Sequence, residues 1–178
     1  SVRENFVLLA RALPVLPWVY ARGHRPFPNP EHLFLLAFQH FMTRKYEEAV
    51  RLAEQAFKLK DEPRTRLLLA RTLHALGRFQ DALAKAIPLY EQTGSREAGK
   101  VIAASHAGLK DWPSALVYLE RLMAEATETD VLNLAAECYL NLHQPERALP
   151  LLRRSLEIDS NQPAVKTRLE ATEKRLRK

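Results

Sequence analysis

The segment KYEEAV at residues 45–50 decides the fold, because close variants of it return at fixed intervals along the chain. The variants are RFQDAL at 78–83, DWPSAL at 111–116 and QPERAL at 144–149. Each has an aromatic residue or a proline three positions before an alanine, and the alanines keep a constant spacing of 33. A fixed period of about 20 to 50 residues is typical of stacked supersecondary units. The sequence therefore predicts a repeat protein.

A second set of alanines lies twelve residues upstream of the first, and it keeps the same spacing of 33. Its members are Ala37, Ala70, Ala103 and Ala136, and those of the first set are Ala49, Ala82, Ala115 and Ala148. In the first unit both segments, 31–43 and 47–59, place their apolar residues at helical spacing. Since two helices approach closely only where the crossing point carries a small residue, each unit is predicted to be a helix–turn–helix pair.

These residues resemble the tetratricopeptide repeat. That family has a small residue, an aromatic and an alanine at its eighth, seventeenth and twentieth positions, which Ala37, Tyr46 and Ala49 match if the first unit begins at Pro30. The resemblance covers 30–161, with a period of 33 rather than 34 and with Pro145 in place of the fourth aromatic. The ankyrin repeat shares this period, but its Thr-Pro-Leu-His signature is missing here.

The resemblance implies an all-α fold, a right-handed α-solenoid of four helix–turn–helix repeats. An amphipathic helix at the C-terminus is expected to cap the last repeat, and a helical and extended lead-in to precede the first. The predicted divisions are 1–29 for the lead-in, 30–62, 63–95, 96–128 and 129–162 for the four repeats, and 163–178 for the capping helix.

The net charge of +6 lies at the two ends of the chain. Residues 1–28 carry +3, residues 163–178 carry +4, and the body between them carries −1. A nucleic-acid-binding protein more often has its basic residues along one face, so nucleic acid is not the expected partner. No apolar stretch is long enough to span a bilayer. The single cysteine, Cys138, cannot form an internal disulfide, which slightly favours a cytoplasmic location.

No set of residues has the pattern of a catalytic or metal site. Cys138 and His106 have the chemistry of a nucleophile and base, but a small buried thiol near a packed histidine explains them better. The six histidines lack ligand spacing, and Gly94 and Gly99 are isolated rather than part of a phosphate loop. We therefore expect no enzyme activity, cofactor, metal or small-molecule substrate.

In the resembled family the first helices line a concave groove, with positions 2, 5, 9, 12 and 13 of each repeat facing into it. The candidate partner-binding residues carried over from this rule are Phe34, Phe38, Phe41, Leu67, Arg71, His74, Lys100, Ala104, Asn133, Glu137 and Asn141. The carboxylate clamp of chaperone-tail-binding members is not reproduced. Lys100 matches one clamp lysine, but Phe38 and Ala104 stand where the clamp needs polar groups.

The resemblance implies a non-catalytic scaffold that holds a peptide or protein segment in this groove. One alternative is a type III secretion translocator chaperone, because AECYLNLHQPERA at 136–148 is similar to the last repeat of that family. A second alternative is a helical-repeat RNA-binding protein. Residues 1–28 have two interpretations: they pack on the first repeat or over its aromatic groove, or they dock on another chain, which includes self-association.

Overall fold

A computed structural model describes residues 29–177, and every regular element in that range is an α-helix. In chain order the helices are α1 Pro30–Met42, α2 Tyr46–Leu59, α3 Pro63–Ala75, α4 Phe79–Thr93, α5 Arg96–Gly108, α6 Trp112–Glu125, α7 Thr129–Asn141, α8 Pro145–Ile158 and α9 Pro163–Leu176. The predicted all-α fold class is confirmed. What was predicted for residues 1–28 lies outside the described part of the chain.

The described chain forms two compact units that divide between Leu76 and Gly77, namely residues 29–76 (unit 1) and 77–177 (unit 2). Helices α1 to α3 belong to unit 1, and helices α4 to α9 belong to unit 2. Within each unit, helices that follow one another in the chain pack against each other. In addition, α1 contacts α3 and α5 contacts α7, so first helices of neighbouring repeats meet inside each unit.

The helices start in register with the sequence period. The first helices α1, α3, α5 and α7 begin at Pro30, Pro63, Arg96 and Thr129, which repeats the spacing of the alanines. The second helices α2, α4, α6 and α8 begin at Tyr46, Phe79, Trp112 and Pro145, with the same interval between them. Proline at these first positions costs little, because the N–H that it lacks would have no helical partner there.

The three-residue joins between paired helices share one backbone conformation. Their middle residues, Arg44, Gly77, Lys110 and His143, have φ of 59°, 74°, 62° and 58°, which is the left-handed region. Beyond the first of these, the N–H of Lys45 donates to the carbonyl of His40 at 2.9 Å. The same bond recurs from Asp111 to His106 and from Gln144 to Tyr139, which is the Schellman pattern of helix ends. Of the four middle residues, only Gly77 adopts this conformation without steric cost.

The alanines of both periodic sets are fully buried, with a relative exposure of 0% at all eight positions. A methyl group there lets two helix backbones approach to the short end of the 8–10 Å range. Larger apolar residues fill the space around them, with Leu69 and Leu73 in unit 1 and Leu119 and Leu152 in unit 2 all but inaccessible to solvent. The cores of both units therefore follow the repeat.

The last helix, α9, packs on α8 through a narrow buried strip. Val165 and Thr172 are buried and Leu169 is half-buried, while Leu176 at the end of the helix is 36% exposed. The rest of α9 is polar, so the helix presents charge on its outer side. Over residues 29–177, no helix has both the length and the apolar character that crossing a lipid bilayer needs.

The left-handed joins lead to a stability prediction. Lys110→Gly is expected to raise the free energy of unfolding by about 1 kcal/mol, because a side chain at positive φ is strained and glycine is not. Urea denaturation of the purified protein measures this difference. Lys110→Ala is the matched control, since it removes the same side chain but keeps the Cβ. An equal gain in both variants would contradict the backbone explanation.

Candidate functional site

A pocket of about 80 Å³ opens on unit 1 between the first helices α1 and α3. We call it the arginine–aromatic pocket, and its lining residues are Phe34, Phe38, Arg64, Leu67, Leu68 and Arg71. Four of them, Phe34, Phe38, Leu67 and Arg71, belong to the set of candidate partner-binding residues predicted from the sequence. The structure thus brings these α1 and α3 members of that set to one place.

The apolar part of the pocket comes from both helices. Phe34 is only 8% exposed, and its ring stacks with that of Phe38 at a centroid distance of 6.4 Å. Phe38 remains half-buried, and Leu67 and Leu68 contribute aliphatic surface from α3. The two rings lie one turn apart on α1, because residues i and i+4 share a helix face.

Arg64 is held in place by carboxylates of its own unit. Its Nη1 donates to Glu31 at 3.2 Å, its Nη2 also contacts Glu31, and its Nε donates to Glu62 at 2.7 Å. Its guanidinium carbon lies 4.8 Å from the centre of the Phe34 ring. Hydrogen bonds from Lys60 and Arg64 keep the pKa of the Glu62 carboxyl below its usual range, so this carboxylate stays charged. The charge of Arg64 is therefore already balanced.

Arg71 differs from Arg64 in this respect. Its guanidinium carbon lies 5.3 Å from the centre of the Phe41 ring, and the residue is exposed. Among the described residues no carboxylate forms an ion pair with it. His74, less than one turn further along α3, is half-buried, and burial lowers its pKa, so it is neutral near pH 7. Arg71 is thus the cation of the pocket whose charge is available to a ligand.

The candidate residues of unit 2 lie on α5 and α7. Lys100 is engaged by three carboxylates, with Nζ 3.1 Å from Asp130, 3.7 Å from Glu97 and also in contact with Glu128. Although burial opposes it, these hydrogen bonds raise the pKa of the Lys100 ammonium. The charge of Lys100 is therefore balanced inside unit 2, which the family rule does not indicate.

Arg96 completes this ionic cluster. It contacts Glu128 and donates to the backbone carbonyls of Leu122 at 2.9 Å and Ala126 at 3.0 Å. It therefore ties the start of α5 to the end of α6, and at the Leu122 carbonyl it adds a second donor to the N–H of Ala126. Hydrogen bonds from Lys100 and then Arg96 lower the pKa of the Glu128 carboxyl.

The remaining unit 2 candidates are polar or small. Asn133 donates from Nδ2 to Gln162 at 2.7 Å, and its Oδ1 is buried with no partner among the described residues. Glu137 lies 3.4 Å from Arg168 of α9, and Asn141 donates to the backbone carbonyl of Glu137 at 2.9 Å. The remaining candidate, Ala104 on α5, is half-buried. The α7 members therefore already have partners within the chain, including residues of the last helix.

Two pocket residues, Arg64 and Leu68, are missing from the predicted set. Arg64 occupies the second position of its repeat, one of the five groove positions, so the family rule was sufficient to find it. Leu68 occupies the sixth position, which is not among the groove positions of that rule, and it is only 4% exposed. Its place in the pocket wall depends on how α1 and α3 pack, which no repeat rule states.

Cys138 does not have the surroundings of a reactive thiol. It is fully buried on α7, and burial raises its pKa to about 11, with the charge of Glu137 as a smaller cause. Only about one thiol in ten thousand is then ionised near neutral pH, and the thiolate is the reactive form. His106 instead places Nδ1 3.1 Å from Asp111, the N-cap residue of α6. Within residues 29–177 no cluster of His, Cys, Asp and Glu could hold a metal ion.

Two family models match the sequence in separate stretches. The model described as anaphase-promoting complex, cyclosome, subunit 3 matches residues 19–86. The model described as tetratricopeptide repeat matches residues 106–171. The chain is a tetratricopeptide-repeat protein. No curated protein sequence matches it significantly.

Several solved structures have a fold similar to that of this tetratricopeptide-repeat protein. MamA residues 41-end from Desulfovibrio magneticus RS-1 has a TM-score of 0.75 at 18% identity, over 82% of this chain and 84% of that one. YrrB, described as a TPR protein with an unusual peptide-binding site, has a TM-score of 0.73 at 18% identity, over 96% and 86%. Another MamA crystal structure scores 0.72 at 15% identity, over 80% of both chains. At these identities the likeness shows the fold alone, an α-solenoid of tetratricopeptide repeats.

The ionic cluster of unit 2 gives a pH prediction. Because the folded-state pKa of Glu128 is depressed, its stabilising contribution is present above the unfolded-state pKa and is lost as the pH falls through the folded-state pKa. Glu128→Gln is expected to lower the free energy of unfolding at neutral pH by at most about 1 kcal/mol, since the group is partly exposed.

Urea denaturation of wild type and Glu128→Gln across the acidic range checks this prediction. The difference between them should vanish below the folded-state pKa of Glu128. Glu170→Gln, on the exposed side of α9, is the matched control and should change the stability little at any pH. A difference that persists in acid would mean that Glu128 acts through packing rather than charge.

The buried thiol gives a second prediction. Cys138 should react with a thiol reagent only when denaturant unfolds the protein, because the folded chain excludes the reagent and keeps the thiol protonated. In the Cys138→Ala background, Val117→Cys provides an exposed thiol as the matched control, which should react at once under native conditions. Rapid labelling of Cys138 in the folded protein would reopen its assignment as a functional nucleophile.

Proposed function

We propose that this protein is a non-catalytic scaffold that binds a peptide or protein segment across the faces of its first helices. Tetratricopeptide-repeat proteins are generally protein-interaction scaffolds, and the structural neighbour YrrB is described as having a peptide-binding site. The observation that carries the proposal is the arginine–aromatic pocket, in which four predicted partner-binding residues from α1 and α3 meet.

The size of the pocket supports a peptide ligand over a small molecule. Pockets for drug-sized molecules usually measure about 300 to 1,000 Å³, whereas this one measures about 80 Å³. A volume of that size is suited to one side chain. A segment bound along the first helices would then place single side chains in such pockets and leave the rest of its length on the surface.

The character of the pocket also fits a protein interface. The pocket combines phenylalanine rings with arginine, and aromatic residues and arginine are enriched at such interfaces. Phe38 and Phe41 are partly exposed, and Met42 at the end of α1 is 51% exposed. Burying this apolar surface against a partner removes it from water, which favours association.

The proposal predicts that the double variant Phe38→Glu, Arg71→Glu loses its partners. Truncating a hot-spot residue at the centre of an interface costs about 2 kcal/mol or more, so affinity should fall at least about tenfold. Affinity purification with the full chain followed by quantitative mass spectrometry measures which proteins are lost. Circular dichroism confirms that the variant remains folded.

The matched control carries the same two kinds of change on second helices. Arg51→Glu reverses a charge on the exposed side of α2, and Val117→Glu replaces an apolar residue that is 49% exposed on α6. This control variant should retain the partners that the pocket variant loses. Partners that survive the pocket variant and disappear with the control would contradict the proposal and place the binding surface on the second helices.

A further inference from the structure

We propose that the arginine–aromatic pocket selects an acidic segment, taking one aliphatic side chain into its cavity and a neighbouring carboxylate onto Arg71. This inference rests on the proposed function, because it names the chemistry of the segment that the scaffold binds. It follows from three observations. These are the volume of the cavity, the ion pairing of its two arginines and the net charge of residues 1–28.

The cavity fits an aliphatic side chain. Its volume of about 80 Å³ is roughly half that of an engineered apolar cavity of about 150 Å³ that binds benzene. A Val, Leu or Ile side chain suits this volume best. The inner wall is apolar, since Phe34 and Leu68 are buried and Leu67 and Phe38 are half-buried. A polar side chain entering there would lose its hydrogen bonds to water without replacement.

The two arginines of the pocket have different roles. Arg64 is paired with Glu31 and Glu62, so two carboxylates already offset its positive charge and it attracts a further anion less strongly. Arg71 has no carboxylate partner among the described residues, while its guanidinium rests beside the Phe41 ring. An arginine held by an aromatic ring is partly preorganised, and its planar fork matches the two oxygens of a carboxylate.

The position of Arg71 on α3 sets where that carboxylate must lie. Leu67 and Arg71 are four residues apart, so their Cβ atoms are about 5 to 6 Å apart on one helix face. An extended peptide covers about 3.3 to 3.6 Å per residue. The acidic residue of the ligand is therefore expected one or two positions away from its aliphatic anchor.

Charge also distinguishes between two segments that could occupy the pocket, the chain's own residues 1–28 and a segment of a partner protein. The chain's own residues 1–28 are rich in apolar groups, but they carry a net charge of +3 with Glu4 as their single acid. Such a segment would bring positive charge towards an unpaired guanidinium, which is unfavourable. An acidic segment of a partner protein has the complementary charge, so the pocket fits it better.

Phage display of short random peptides against the full chain tests the inference. Selected peptides are expected to share Val, Leu or Ile with Asp or Glu one or two positions away. Fluorescence anisotropy with these peptides should show an affinity about tenfold lower for Arg71→Glu, unchanged for Arg51→Glu, and decreasing as salt is added. Repeating the selection on Arg71→Glu should replace the acidic residue by Lys or Arg at the same spacing.

The outcomes separate this inference from the proposed function. Peptides that lose binding in Phe38→Glu but show no acidic preference and tolerate Arg71→Glu would overturn the inference and leave the scaffold function standing. Enrichment of basic peptides that resemble residues 1–28 would overturn it in favour of self-occupation. Peptides that are indifferent to Phe38→Glu, or the failure to select any peptide, would count against the proposed function itself.

Discussion

Close helix approach at alanine is the constraint on which the rest of this structure depends. All eight periodic alanines are fully buried, and a longer side chain at any of them would push two backbones apart. Because the alanines recur at the period of the sequence, the same small side chain stands at the corresponding positions of every repeat. The joins obey a second, related constraint. Their middle residues take the left-handed conformation at the same spacing, although three of the four are not glycine.

These two constraints place the candidate site. Packing of the paired helices fixes which side of each first helix is buried, so the opposite side of α1 and that of α3 are free to form a common face in unit 1. Phe34 and Phe38 belong to that face because they lie one turn apart on α1. Repeat packing thus creates the space between these two rings and Arg71. A few of the side chains that line this space are not themselves required for the packing of the paired helices.

Ion pairing within the chain decides which charges can serve a ligand. Arg64 and Lys100 stand at groove positions, but both are neutralised by nearby carboxylates. Arg96 and Glu128 extend the Lys100 cluster and connect the end of α6 to the starts of α5 and α7. Arg64 and Arg71 both lie beside an aromatic ring, but Arg71 differs because it pairs with no acid of the described chain. Groove position is therefore not a sufficient criterion for a ligand-binding charge.

The sequence by itself determined the helix–turn–helix repeat, its period and the small buried positions, because local helical periodicity and the need for close packing leave a direct mark at fixed intervals. Through the family rule it also predicted Phe34, Phe38, Leu67 and Arg71 as groove residues. Only the tertiary structure decided that these four meet in one pocket, that Leu68 forms part of its wall and that Lys100 is already paired. The reason is physical: cavity shape and charge pairing depend on contacts between residues far apart in the chain, such as Glu31 with Arg64 and Lys100 with Glu128, and spacing within one repeat contains no record of them.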